Sequence, residues 1–352
     1  MAAPHIGASA AVVPDLYKAD LVVADQQDTT LKSAARKGLG EVLVKVSGRR
    51  SALSAANIRN AIEVADQYIL QYGYDGAALG EDGEPGQLLQ LEFDPRAVGQ
   101  LLRVAMQPIW SARRPEVLIW MALDSPTGTS YVTAENSPEL VGELERALSD
   151  RGLPWFFPLF DLEDEVNVGI SQVLRPEEAA IANAAGRYSA RAVLTGRILQ
   201  MTDGTLVGDW LYLQGDSGYR IGADASPVEG LFDSVAAQIA EILSDEYAIT
   251  PRRFEPGGIL MYVEGIDHYA DYAALVHAIE SIEAVSHANV ETIDGEIVAI
   301  RLLAEGSREQ LRLALALGTR LVPLATSGSV ADNNAAQAAL SYRWPLLQGV
   351  AP

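Results

Sequence analysis

The chain has 352 residues, 49% of them hydrophobic and 21% charged, a formal net charge of −21 and no cysteine. That charge opposes nonspecific nucleic-acid binding, which needs Lys and Arg at phosphates, and it opposes docking on anionic lipid. The missing cysteines exclude disulfides, thiolate metal sites and a thiol nucleophile.

The length is expected to divide into two or three domains. No apolar run approaches the ~20 residues that span a bilayer. The start at Met1 lacks a basic segment followed by an apolar core, so no signal peptide is expected.

Residues 1–14 are small and unpatterned and read as a flexible arm. Leu16–Ala24 alternates as a strand. Thr29–Ser47 has helical periodicity, with Leu31, Ala35, Leu39, Val42 and Val46 on one side and Gly48 as a natural stop. Ala55–Tyr72 reads as a second helix through Ile58, Ile62, Ala65 and Ile69. Gly76–Gly86 reads as a polar loop and Gln87–Phe93 as a strand. Asp94-Pro95 then caps a third helix running to about Ala105.

Leu16-Tyr17-x-Ala19, Gly38–Gly48, Gln71-Tyr72-Gly73-Tyr74, Leu91-x-Phe93-Asp94, Leu101-Leu102-Arg103, Pro108-x-Trp110 and Arg114-Pro115-x-Val117-Leu118-x-Trp120 follow one another in order. Together they resemble a family of uncharacterised proteobacterial proteins catalogued as a domain of unknown function, most strongly over residues 15–122. Members typically begin with a secretion signal, so the resemblance implies an exported, periplasmic protein whose signal has been removed here. A cytoplasmic location is the alternative. The family brings no activity and no catalytic residues.

Farther along, Val117–Leu123 reads as a strand and Pro138–Asp150 as a helix. Leu153–Phe160 is short and apolar. Asp161–Ile170 and Pro176–Ala185 read as helices. Ala192–Leu199, Leu206–Leu213 and Gly218–Ala223 form a predicted meander, turning at Asp203-Gly204 and at Gly215-Asp216-Ser217. Pro227 opens a helix whose stripe is Leu231, Val235, Ile239 and Ile242. Strand order and size are loosely similar to the α/β domain of periplasmic Tol-system and peptidoglycan-synthase-activator proteins.

The third unit reads as strand Gly258–Glu264, helix Tyr269–Ile282, a hairpin of Ala288–Ile293 and Glu296–Leu303, helix Ser307–Ala316 and strand Arg320–Leu324. This βαββαβ order is the ferredoxin-like pattern. Residues 326–341 are rich in Ser, Ala and Asn. Tyr342-x-Trp344-Pro345-Leu346-Leu347 is an apolar segment that folds back onto a domain or binds a partner, with folding back favoured.

The expected fold is therefore α/β (α+β), in three small modules. These are an N-terminal β-α-α-β-α unit over 15–112, a mixed unit over 113–252 and a ferredoxin-like unit over 256–325, followed by a tail over 326–352.

Chemical signatures are sparse. Gly215-Asp216-Ser217-Gly218 has the look of a serine-protease nucleophile segment, but it lacks the following Gly and any upstream His other than His5, so it reads as a turn. His268 and Asp271 make at most two metal ligands, and His277 falls on another helix face, so capping by Asp267 is expected. Acidic Asp161, Glu163, Asp164 and Glu165 lack the pattern of a calcium loop and suit a helix N-terminus. Arg113 and Arg114, beside Trp110 and Trp120, either hold an anionic group or peptide by stacking or join the first two domains. Phosphate-binding, zinc-protease and serine-hydrolase motifs do not occur.

No catalytic residue, metal or cofactor is expected. The first functional expectation is a non-enzymatic periplasmic interaction or assembly protein with an envelope protein partner, its candidate contact residues being Trp110, Arg113, Arg114, Trp120, Tyr342 and Trp344. The alternatives are a hydrolase acting on envelope glycan through paired carboxylates, and a small-ligand sensor using the ferredoxin-like module.

Overall fold

A computed structural model describes residues 10–80, 85–222, 226–251, 258–282, 284–324 and 340–345. The chain is mixed α/β and divides into two compact units, residues 8–245 and residues from 246 onward.

The first unit opens with β1 (Ala10–Val12), in a region expected to be an unstructured arm; residues 1–9 lie outside the described residues. Next come β2 (Lys18–Val23) and α1 (Asp28–Ser47). Helix α1 stops where expected. Gly48 sits at φ 72, a conformation open to a residue without Cβ, and its N–H returns to the Val44 carbonyl at 2.8 Å.

The expected second helix is shorter. It covers only α2 (Ala56–Glu63), a 3-10 turn spans Ala65–Tyr68, and the chain then extends as β3 (Ile69–Leu79). The expected loop is thus mostly the β3–β4 hairpin, with β4 at Pro85–Phe93. Strand β3 escaped periodic reading because it is an edge strand with both faces largely wet; the successive residues Leu70, Gln71 and Tyr72, which alternate between the faces, are all exposed. Helix α3 (Pro95–Val104) is capped as expected, the Asp94 carboxylate accepting the Arg96 N–H at 2.8 Å. The antiparallel order is β2-β4-β3, and one face is covered by a core that includes Leu39, Leu43, Ile58, Leu91, Phe93 and Leu102.

The mixed sheet follows. It is preceded by β5 (Arg113–Pro115), which makes a separate two-stranded sheet with β1, and its elements begin with β6 (Val117–Ser125), β7 (Gly128–Tyr131), α4 (Pro138–Ser149) and β8 (Trp155–Phe156). They continue with α5 (Leu162–Asn167), α6 (Ile170–Leu174), α7 (Glu178–Ala185), β9 (Ala192–Gln200), β10 (Leu206–Gln214), β11 (Ser217–Gly222) and α8 (Asp233–Tyr247).

The meander lies where expected, and β6 extends it in parallel with β9, giving the order β11-β10-β9-β6-β7 with β8 also beside β6. Gly215-Asp216 is the turn between β10 and β11. Helix α8 starts six residues after Pro227, and the single helix expected over Asp161–Ile170 is broken at Val168-Gly169.

Strand β10 is buried on both faces. Trp210 packs against Phe232 at 5.5 Å and lies over Gly196, its cross-strand partner, and over Gly208. A Cβ on Gly208 would meet the indole at 2.5 Å, so these two glycines form the slot that admits the ring.

The second unit holds β12 (Ile259–Glu264), α9 (Tyr269–Glu280), β13 (Val285–Asp294), β14 (Ile297–Ala304), α10 (Arg308–Gly318), β15 (Val322–Pro323) and β16 (Leu340–Arg343). The βαββα order is as read from the sequence. The helix cap is not: His268, rather than Asp267, occupies the N-cap of α9, and no side chain caps it. The sheet order is β13-β14-β12-β16-β15. In a plain ferredoxin-like sheet the last strand lies beside the first; here β16 occupies that place, parallel to β12, and β15 is displaced outward. Most of the Ser-, Ala- and Asn-rich segment over 326–341 lies outside the described residues.

Candidate interaction surface

Strand β8 has only two residues, because the chain then turns away from the edge of β6 through Phe157, Pro158, Leu159 and Phe160. Aromatic rings floor this segment. Trp155 meets Phe157 at 5.0 Å, Phe160 meets Tyr131 at 5.2 Å, and Phe156 meets Tyr188 at 5.9 Å, with Trp120 edge-on to Tyr188 at 6.1 Å. Phe160 adopts φ 51, a left-handed conformation that is strained for a bulky L-residue. Such strain persists only where surrounding contacts fix it.

Those contacts are polar and complete. The Tyr188 hydroxyl accepts the Leu159 N–H at 2.9 Å and donates to the Asp164 carboxylate at 2.6 Å. Arg187 grips Asp161 with two bonds of 2.6 and 2.7 Å and reaches Asp164 at 2.9 Å. Asp161 also caps α5, accepting the Asp164 N–H at 3.1 Å. Asp164 is buried, as a carboxylate can be when cationic and hydroxyl donors surround it. The hydrogen bonds from Arg187 hold the Asp161 carboxyl well below the usual carboxylate range, so it is anionic at neutral pH. Asp161 thus serves α5 as the helix-terminal acid expected from the sequence.

On this fixed base sit three exposed apolar side chains: Leu159 at 70%, and Leu162 and Val166 at 76% each. Leu162 and Val166 are one helical turn apart and share a side of α5. Glu163 and Glu165 flank them and are exposed, and Asp161, Glu163 and Asp164 share the single charge of Arg187. The result is a small, preorganised apolar surface with an acidic border.

The residues singled out in the sequence lie elsewhere. Trp110, Arg114, Trp120, Tyr342 and Trp344 are buried in the protein's own core, and Arg113 is exposed. Arg114 spends its five N–H donors on backbone carbonyls. Nε reaches Ser111 at 3.0 Å, Nη1 reaches Arg151 at 3.1 Å and Gly152 at 2.9 Å, and Nη2 reaches Lys45 at 2.8 Å and Trp110 at 3.2 Å. Its guanidinium lies 4.0 Å from the Trp110 ring centre. Arg114 thereby ties the last turn of α1 to the residues that follow α4. Leu159, Leu162 and Val166 went unremarked in the sequence. Their signal was the dense apolar run Trp155–Phe160 directly ahead of an acidic one.

A concavity of about 540 Å³ lies against the β2-β4-β3 sheet, with Lys18, Asp20, Gln71, Gln90, Glu92 and Asp150 among its walls. Two pairs of its polar side chains meet: Lys18 with Asp15 at 2.8 Å, and Gln71 with Glu92 at 2.5 Å. Among the described residues, no group of three or more His, Asp or Glu is placed to hold a metal ion, and no helix is long and apolar enough to cross a membrane.

Comparison with known proteins adds one match. Neither the curated proteins nor the solved structures gave a significant similarity. A family model described as "Domain of unknown function (DUF8605)" matches residues 10–111, from β1 through α3 to the residue after Trp110. Residues 10–111, the three-stranded sheet with its helices, therefore constitute a DUF8605 domain.

Proposed function

We propose that the protein is a non-enzymatic interaction or assembly factor of the bacterial cell envelope, acting in the periplasm through α/β modules and docking a basic, amphipathic segment of a partner protein on the α5 surface. One observation carries this reading: Leu159, Leu162 and Val166 stand in solvent on backbone held by the Tyr188–Asp164–Arg187 network. Apolar side chains presented rigidly lose little entropy on binding. An apolar centre with a polar rim is the common anatomy of protein interfaces. The acidic border selects a partner with Lys or Arg around its apolar face and speeds encounter with it. The compartment rests on the resemblance to a family whose members usually carry secretion signals.

The test is site-specific photo-cross-linking from position 162 in the full-length, natively exported protein, read by mass spectrometry. One dominant envelope protein, joined through a segment bearing Lys or Arg beside apolar residues, is the expected product. A Val166→Asp change should cut its yield at least tenfold. Recovery of no partner, or of a cytosolic one, overturns the reading.

A further inference from the structure

Strand β16 fills the gap between β12 and β15. It runs parallel to β12, pairing Met261 with Leu340 and Val263 with Tyr342, and the Trp344 N–H closes the ladder on the Glu264 carbonyl at 2.8 Å. Leu340, Tyr342 and Trp344 alternate into the core, while Ser341 and Arg343 face away from it. Two groups recognise the indole: Asp271 accepts from its Nε1 at 3.3 Å, and the Arg320 guanidinium lies 4.1 Å from its ring. The place between β12 and β15 is thus filled by an extended segment of spacing apolar-x-aromatic-x-Trp, whose alternate side chains the surroundings fit.

Three features make the resident strand a replaceable occupant. It is only four residues long and pairs with just two residues of β15. Among the described residues the buried Tyr342 hydroxyl has no hydrogen-bond partner, so the fit is imperfect. Adjacent antiparallel strands need a loop of about 2–5 residues. Residues 325–339, fifteen in all, separate Leu324 from Leu340 here. The strand is thus tethered by more chain than its position requires.

We propose that this slot is a strand-binding site at which an extended segment of a partner polypeptide, carrying the same apolar-x-aromatic-x-Trp spacing, replaces β16. The partner adds main-chain hydrogen bonds to β12 and places its alternate side chains in the pockets of Leu340, Tyr342 and Trp344. The inference does not depend on the α5 surface.

The probe is a fluorescein-labelled peptide with the sequence of residues 338–346, titrated into the full chain and followed by anisotropy. Binding to Trp344→Ala, whose own strand is weakened, should be at least tenfold tighter than to the unaltered chain. Binding to Tyr342→Phe, whose own strand fits better, should be weaker. A probe with Asp at the positions of Tyr342 and Trp344 should not bind. Should Trp344→Ala fail to fold, a protease site placed at residues 330–334 lets the strand be cut from its tether in an otherwise complete chain, and the probe should then displace it. Equal affinities across the variants, or no displacement after cutting in a chain that remains folded, overturn the proposal.

Discussion

Replacing Arg114 tests whether one side chain joins α1 to the end of α4. Its five hydrogen bonds all reach carbonyl oxygens; that of Lys45 lies in the last turn of α1, where carbonyls lack intrahelical partners, and those of Arg151 and Gly152 lie just past α4. Arg114→Ala leaves these acceptors facing a cavity. An unpaired buried acceptor costs about 1–3 kcal/mol, but water entering the cavity satisfies some of them. Measured losses at comparable buried charged sites are about 3–5 kcal/mol, and that is the expected loss here. Arg114→Lys is the sharper experiment. An ammonium keeps the charge but brings only three donors and no planar face for Trp110. Two bonds and the stack are lost, so about 2–3 kcal/mol should go. Guanidinium chloride titration followed by tryptophan fluorescence measures both values. If Arg114→Lys stays within about 0.5 kcal/mol of the unaltered chain, the reasoning from fork geometry is wrong.

Three further outcomes are expected. Gly208→Ala drives a methyl into the Trp210 ring, so near-UV circular dichroism should lose its tryptophan bands and stability should fall by about 1–3 kcal/mol; an unchanged spectrum and midpoint would refute the slot. Tyr188→Phe removes the donor to buried Asp164 and the acceptor for Leu159, so limited proteolysis should open the chain between Phe157 and Leu162 first, and cleavage elsewhere would count against the network. Glu143 accepts from Arg146 and from the Gly230 N–H, and the Arg146 bond lowers its pKa from the ordinary 4.5. A carboxyl depressed in the folded state stabilises it above the unfolded pKa and loses that contribution as pH falls through the folded value. The gap in melting temperature between the unaltered chain and Glu143→Gln should therefore be full at pH 7 and should narrow below about pH 4; a constant gap would refute the linkage.

Much of the architecture was legible because local chemistry agrees with it. Helix α1 announces itself through its apolar stripe and Gly48, α3 through Asp94-Pro95, and the meander through Asp203-Gly204 and Gly215-Asp216. Elements whose environment erases periodicity were not legible. Strand β3 is wet on both faces, so nothing in Ile69–Leu79 alternates. The break between α5 and α6 depends on Gly169 taking an N-cap conformation, which a continuous helical pattern hides. Tyr342 and Trp344 were visible as part of an apolar segment, but the strand they form with Leu340 beside β12 was not, because register between distant segments leaves no local trace. At the α5 surface the acids were visible and their partners were not. Arg187 and Tyr188 lie more than twenty residues from Asp161 and Asp164, and only the fold brings them together.

The insertion of β16 also sets a timetable for synthesis. Met261 pairs with Leu340, so the ribosome adds 79 residues (340 − 261) after the first before the second exists. At about 5–20 residues per second, this is roughly 4–16 s during which one side of β12 has no permanent neighbour. Strand β15 is made earlier and has the direction to pair there, so a sheet closed by β15 before β16 arrives would have to reopen to admit the fifth strand. The order in which the strands are made thus opposes their order in the sheet.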